Sequence, residues 1–494
     1  MADDTRLKAG AIGAAGITFL VVAAAAPLTI MTGIAPLAIS IGGIGAPVGY
    51  LAAGVVLAIF AVGFMAMTRH TRGAGAFYSY ITLGLGRPLG AASGLLAVIS
   101  YNALQIGVYG LLGVQFSAAW TRFTGTEAPW WIFTALAIVG VWTLGRRGID
   151  VGAKVVGALL IAETAILVLF VAAVLPQAGL SGATFTPAAL TDPGMLAILG
   201  FCFAAFMGFE STALYRGEAR DPDRSIPKAT YAAVAFLAIF YCLVGWAAVR
   251  AFGDEQVIAA AAADPTGLFF SAMDTYVGAW ASDIMYVLVL TSVLASQLAF
   301  HNAINRYAFS LAHDGLLPAR LGHSHPRFFS PATAGTAQSI VAAVVVAAFA
   351  YAGADPYLQL TLLVNTPGAI GVVGLQALTS AAVLAYFLRR RGVSGARVAI
   401  VSGGLATILL AIVLFFIIDK VALLTGAGHA TNALLVLLIP AVLAGGVIWA
   451  LILKIKDPMS YGRIGGDEVR RISAADGSGQ PGPVVVTPAP EAIA

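Results

Sequence analysis

Charge is what this sequence has least of. Only 10% of its 494 residues are charged, against 60% hydrophobic, whereas soluble chains carry about 25% charged residues. That shortage excludes a soluble enzyme, a nucleic-acid binder and a disordered chain. Cysteine is nearly missing as well. The two that occur, Cys202 and Cys242, each lie inside an apolar stretch, which leaves no disulfide framework and fits small core residues. The six histidines are scattered, and no metal or cofactor is expected. No Gly-x-x-x-x-Gly-Lys-[Ser/Thr] stretch is present, so the phosphate cradle of an ATP-driven pump is lacking. No nucleophile–base pair gathers at one membrane face, as a membrane enzyme would need, and no selectivity loop marks a channel. Arg6 and Lys8 precede an apolar stretch too long for a cleavable leader.

What is present is a series of long hydrophobic runs. A membrane-spanning helix needs about 20 apolar residues, and twelve such runs are expected: 11–40, 45–67, 88–119, 129–145, 150–175, 194–216, 226–251, 281–312, 331–352, 358–388, 397–418 and 429–455. A short amphipathic stretch is expected near 265–279. Placing the N-terminus in the cytoplasm puts all but three of the 27 lysines and arginines on that side; the exceptions are Arg122, Arg250 and Lys420. This asymmetry is what the positive-inside rule demands, with both termini cytoplasmic. The expected organisation is therefore an all-α integral membrane protein. It has a short N-terminus (1–10), a twelve-helix domain (11–455) and a Gly/Pro/Ser-rich disordered tail (456–494).

Two of the runs are wrong for plain spans. In the first, Pro27 sits near the middle, with Leu28, Thr29, Ile30, Thr32 and Gly33 behind it; proline removes an amide donor and clashes with the preceding turn. In the sixth, Gly208 and Glu210 lie about 15 residues in, behind Phe206 and Met207 and around Phe209. Broken backbone at membrane depth is tolerated only inside protein or at a watery cavity. Its freed amides suit a carboxylate and its freed carbonyls suit a cation. A zwitterionic amino acid needs both. Breaks five spans apart are the pattern of an inverted repeat of five plus five helices, here about 11–175 and 194–388. Intramembrane carboxylates are costly and usually functional, and surroundings poor in water favour the protonated form. Glu163, about 20 Å into span five at 1.5 Å per residue, and Glu210 are thus the candidates for proton coupling. Asn102 and Gln105 in span three are candidates either for the cavity wall or for contacts between helices. In span eight the polar residues are Ser296, His301, Asn302 and Asn305; for His301 a packed polar contact is preferred to a proton relay.

Several motifs occur in order along the chain. The loop after span two reads Gly73-Ala-Gly-Ala-Phe-Tyr-Ser-Tyr80. Span six and its exit read Gly208-Phe-Glu-Ser, then Glu218-Ala-Arg-Asp-Pro222 and Arg224-Ser-Ile-Pro-Lys-Ala229. Span eight ends Asn305-Arg-Tyr-Ala-Phe-Ser-Leu-Ala-His-Asp-Gly-Leu-Leu-Pro318. Together they resemble the amino acid–polyamine–organocation superfamily of permeases, of the bacterial amino acid permease type, over roughly 11–455. The resemblance implies the fold of the sodium-coupled leucine transporter and alternating access around a midplane site. It places Leu28-Thr29-Ile30 over the family's glycine–serine–glycine substrate loop, a departure in which the Pro27 break stands in for the glycines. It puts Phe206 to Glu210 on the amino-group side with an aromatic gate, and Phe300 where relatives carry an aromatic over the substrate. Many relatives carry a sodium-mimicking lysine in span five. Here that place falls on Glu163, which reverses the local charge and leaves room for a proton or a cation, with Ser296 nearby.

The expectation is a secondary transporter of amino acids in the cytoplasmic membrane, with the proton as coupling ion. Its partners would be a small-molecule substrate and membrane lipids, and no nucleic acid. Pro-Leu-Thr in span one also resembles the family's putrescine importers, so a polyamine importer or an exchanger stays open. So does a transporter-derived sensor.

Overall fold

The computed structural model describes residues 13–68, 76–148, 153–217, 219–328 and 330–466. Arg6, Lys8, Arg69, Arg72, Glu218, the Gly73–Gly75 end of the first motif and the tail beyond 466 lie outside the described residues. Within them the chain is helical, and eleven helices are long and apolar enough to cross a membrane. A further apolar helix, Trp130–Arg146, is 17 residues long and stands at the expected fourth span. Ala35–Gly42 ends at Gly43, whose φ of 67° closes the helix before a short turn leads into Ala46–Thr68. The amphipathic stretch is the helix Leu268–Tyr276. Span ten opens on a π-helical turn, Pro356–Thr361, before continuing as Leu362–Arg389.

Burial sorts the helices into a centre and a rim. In the apolar windows of Pro193–Ala213 and Pro356–Arg389, 72% of residues are buried; in His429–Lys456 only 17% are. The sixth and tenth spans are thus enclosed by protein, and the last span faces outward. Lipid tails are as apolar as the helices, so association relies on close packing of small residues. Gly446 shows this: a Cβ there would stand 2.5 Å from the Ala92 Cα. The central packing joins Leu362–Arg389 to Arg87–Thr124 and Ala396–Asp419, and Arg87–Thr124 in turn to Ala279–His313. Gln105 and Gln297 tie the last two together by exchanging amide N–H bonds with each other's backbone carbonyl, at 3.2 and 3.1 Å. Gln105 therefore makes a contact between helices. His301 is also a packed polar residue: its ring and backbone both meet Gln338, at 2.7 and 2.9 Å.

The chain stays ordered past the point where a disordered tail is expected to begin. Asp457 caps a further helix, Pro458–Arg463, by accepting the Ser460 amide at 3.0 Å, and these Ser460 contacts hold its carboxyl below the usual aspartate range. Ile464 is fully buried, and the Gly465 amide donates to the Tyr78 hydroxyl at 2.6 Å while that hydroxyl donates to Asp314 at 2.8 Å. Buried apolar and polar partners hold this segment. The expectation missed them because Gly- and Ser-rich composition says nothing about a docking surface elsewhere in the chain.

Candidate functional site

Both expected breaks are present, and they face each other. The first span runs as a helix over Ala14–Ala24 and resumes at Pro27–Gly33. Between them Ala26 adopts left-handed φ and ψ of 49° and 67°, a conformation that costs an L-residue about 1–2 kcal/mol. Pro27 takes the first position of the second half, where its missing N–H is harmless. The sixth span is α-helical over Leu199–Ala204, turns through Gly208 at φ 107°, and continues as a 3-10 helix from Phe209. A Cβ on Gly208 would stand 3.4 Å from the Ala24 Cβ, so the two unwound stretches are in contact.

Beside them lies a small cavity of about 50 Å³, enough for a few waters at about 10–15 Å³ each. Of the residues expected at a substrate site, Thr29, Ile30, Met207 and Phe300 line it, as does Ser296. The others are placed around it. Leu28 is buried, with its amide near the Glu163 carboxylate. The Thr32 hydroxyl donates to the Leu28 carbonyl at 2.8 Å and accepts from Gln115. Phe206 packs edge-on to Tyr241, and Phe209 edge-on to Phe60. Asn102 donates within its own helix, to the Val98 carbonyl.

The two carboxylates each brace a break. Glu163 is 4% exposed and accepts from Ser292 at 2.8 Å, with the Leu28 amide nearby. The hydroxyl that meets it is thus Ser292, one turn before Ser296. Glu210 accepts from the Tyr101 hydroxyl and from the Gly208 amide, the latter at 3.1 Å. Tyr101 in turn stacks on Tyr307 at 5.8 Å. Among the described residues no group of histidine, cysteine and carboxylate side chains is arranged to hold a metal.

Three residues at this site went unmarked in the sequence. Tyr101 reads there as an ordinary core aromatic. Asn365 lines the cavity from the tenth span; its signal was a polar side chain two residues before Pro367 in an apolar run. Tyr357 lines a second, open cavity, a vestibule of about 1050 Å³ that is also bordered by Arg122, Glu127 and Asp355. Its hydroxyl donates to the Gly33 carbonyl at 2.6 Å. Removing that hydroxyl is expected to loosen the hold of Tyr357 on the first broken span, since one hydrogen bond contributes about 1 kcal/mol. Tyr357→Phe should raise by about fivefold the rate at which a polar thiol reagent labels a cysteine placed at Ile34. An unchanged labelling rate would show that Tyr357 does not restrict access to the first broken span.

The family model described as "Amino acid permease" matches residues 16–460. The chain is 31% identical over 154 residues to an uncharacterized transporter, Rv1999c, of Mycobacterium tuberculosis, covering 31% of this chain and 33% of that protein. Two Lactococcus lactis proteins are also similar. The lysine-specific permease LysP is 25% identical, over 56% of this chain and 57% of its own length. The branched-chain amino acid permease BcaP is 29% identical, over 32% and 33%. The aligned stretches thus span between a third and somewhat over half of these relatives. Among solved structures, MhsT in complex with L-phenylalanine matches with a TM-score of 0.57 at 15% identity, over 83% of this chain and 99% of that one. That likeness gives the fold: a helical, multi-pass membrane architecture of the leucine-transporter type. With its family signature running from the first broken helix to beyond the last span, the chain belongs to the amino acid permease family, a family of transporters and not of enzymes.

Proposed function

We propose that this protein is a secondary active transporter that carries amino acids across the cytoplasmic membrane by alternating access, driven by protons. The observation that carries the reading is the meeting of two broken helices at a small cavity, with a buried carboxylate beside each break. In this reading, the Thr29 hydroxyl and the start of the second half-helix hold the substrate carboxylate. The unwound stretch around Met207 and Gly208 holds its ammonium group, and Phe300 covers it. The cavity must widen to admit an amino acid, and Tyr357 is the closure on the vestibule side. By the positive-inside rule the vestibule opens outward and both termini are cytoplasmic. Glu163 ties the coupling proton to the first break through Leu28, and Glu210 props the second.

The test is uptake of a labelled amino-acid pool into liposomes under an inward proton gradient, with and without a protonophore. Uptake abolished by the protonophore is expected. Uptake indifferent to it would remove the proton drive and leave the transporter. Absence of amino-acid uptake, in preloaded vesicles as well, would remove the amino-acid reading.

A further inference from the structure

No side chain lining the central cavity is ionisable. Ile30 and Ile34 come from the first broken span, and Phe300 faces them. Leu104, Val108 and Leu111 come from Arg87–Thr124, at a spacing that puts all three on one helix face. Glu163 and Glu210 are turned to protein donors and do not reach the lining. Two oxygens in the wall have no protein partner, Thr29 Oγ1 and Asn365 Oδ1. Thr29 is 3% exposed and already has a part in the reading above. Asn365 has none. Its position is fixed by close packing, since a Cβ on Gly107 would lie 2.9 Å from the Asn365 Cβ.

We propose that the cavity selects amino acids with an uncharged, largely apolar side chain, and that Asn365 is a residue that sets this selectivity. The inference rests on the reading that amino acids pass through this cavity. A lysine side chain held among these walls would be a buried cation without a counter-ion, which is strongly unfavourable, and a diamine would bring two such charges. The neutral amide oxygen of Asn365 satisfies at most an N–H or O–H of the substrate, and no anion is on hand to do more. Glu127 and Asp355 stand at the vestibule, where water and salt screen them. They bias the approach of a cation without holding it in the cavity.

The test compares uptake of labelled L-leucine and L-lysine by the full chain in liposomes, with L-phenylalanine and putrescine as competitors. The unaltered protein is expected to favour leucine over lysine by at least about tenfold, with competition by phenylalanine and none by putrescine. Asn365→Asp places a carboxylate in the wall and should raise the lysine-to-leucine ratio by about tenfold. Val108→Ala widens the apolar wall without adding charge and should shift preference from leucine toward phenylalanine, about threefold or more. It supplies the reading if the aspartate variant fails to fold. Lysine or putrescine handled as well as leucine by the unaltered chain would overturn the selectivity while leaving transport intact. Unchanged ratios in a folded Asn365→Asp would remove that residue's role, and an unchanged preference in Val108→Ala would remove the wall's. No uptake of any amino acid would overturn this inference and the proposed function together.

Discussion

Glu163→Gln is expected to bring uptake driven by a pH gradient down to the level seen without one, a loss on the order of tenfold or more, while exchange across preloaded vesicles continues. The substitution keeps size and shape. Its amide oxygen still accepts from Ser292, whose hydroxyl lies 2.8 Å from the carboxylate, so the surroundings of the first break survive. What is lost is the ability to bind and release a proton. A carboxylate that only propped the backbone would tolerate glutamine with its pH response intact, and pH-driven uptake equal to that of the unaltered protein would end the coupling role. An amino acid already in the cavity meets the same walls in either variant, so exchange separates the two possibilities.

Gly208→Val is expected to weaken substrate binding by about a hundredfold or more, through two separate causes. The backbone at 208 has φ of 107°, where a β-branched residue is a rare outlier, and holding one there costs on the order of 1–3 kcal/mol. The new side chain would also begin 3.4 Å from the Ala24 Cβ and push its methyl groups into the junction of the two breaks, crowding the carbonyls exposed there. Equilibrium binding of a labelled amino acid to the purified protein reads the effect, and a melting curve shows whether the variant is folded. Normal affinity in a folded variant would place the substrate elsewhere.

The features legible in the sequence were those written in local backbone chemistry. Pro27 cannot continue a helix, and Gly208 beside Glu210 marks an unwound stretch that needs a hydrogen-bond partner; both breaks were found on those grounds. Pairings between helices were not legible. The sequence reading set Ser296 near Glu163, one turn from Ser292, which meets it, because span ends are known only to a few residues while a helix turns about 100° with each one. Tyr101 and Glu210 are separated by 109 positions, and nothing around either announces the other. Phe206 and Phe209 resemble a gate in sequence; the turn between them directs their rings to Tyr241 and Phe60. Asn365, two residues before Pro367, and Tyr357, at the edge of span ten, could be noticed in sequence, but what they meet depends on their neighbours.

The contact between Ala24 and Gly208 has a mechanical meaning. With so little space between them, the two interruptions make one pivot. In the proposed alternating-access cycle, tilting the half-helix Ala14–Ala24 would push on the turn at Gly208, and through its amide on Glu210 and Tyr101. In the proposed cycle, a displacement of the first broken span would reach the sixth across a single van der Waals layer, as a gear tooth acts on its neighbour. The width of that layer, and with it the size of the side chains at 24 and 208, sets how much play the mechanism has.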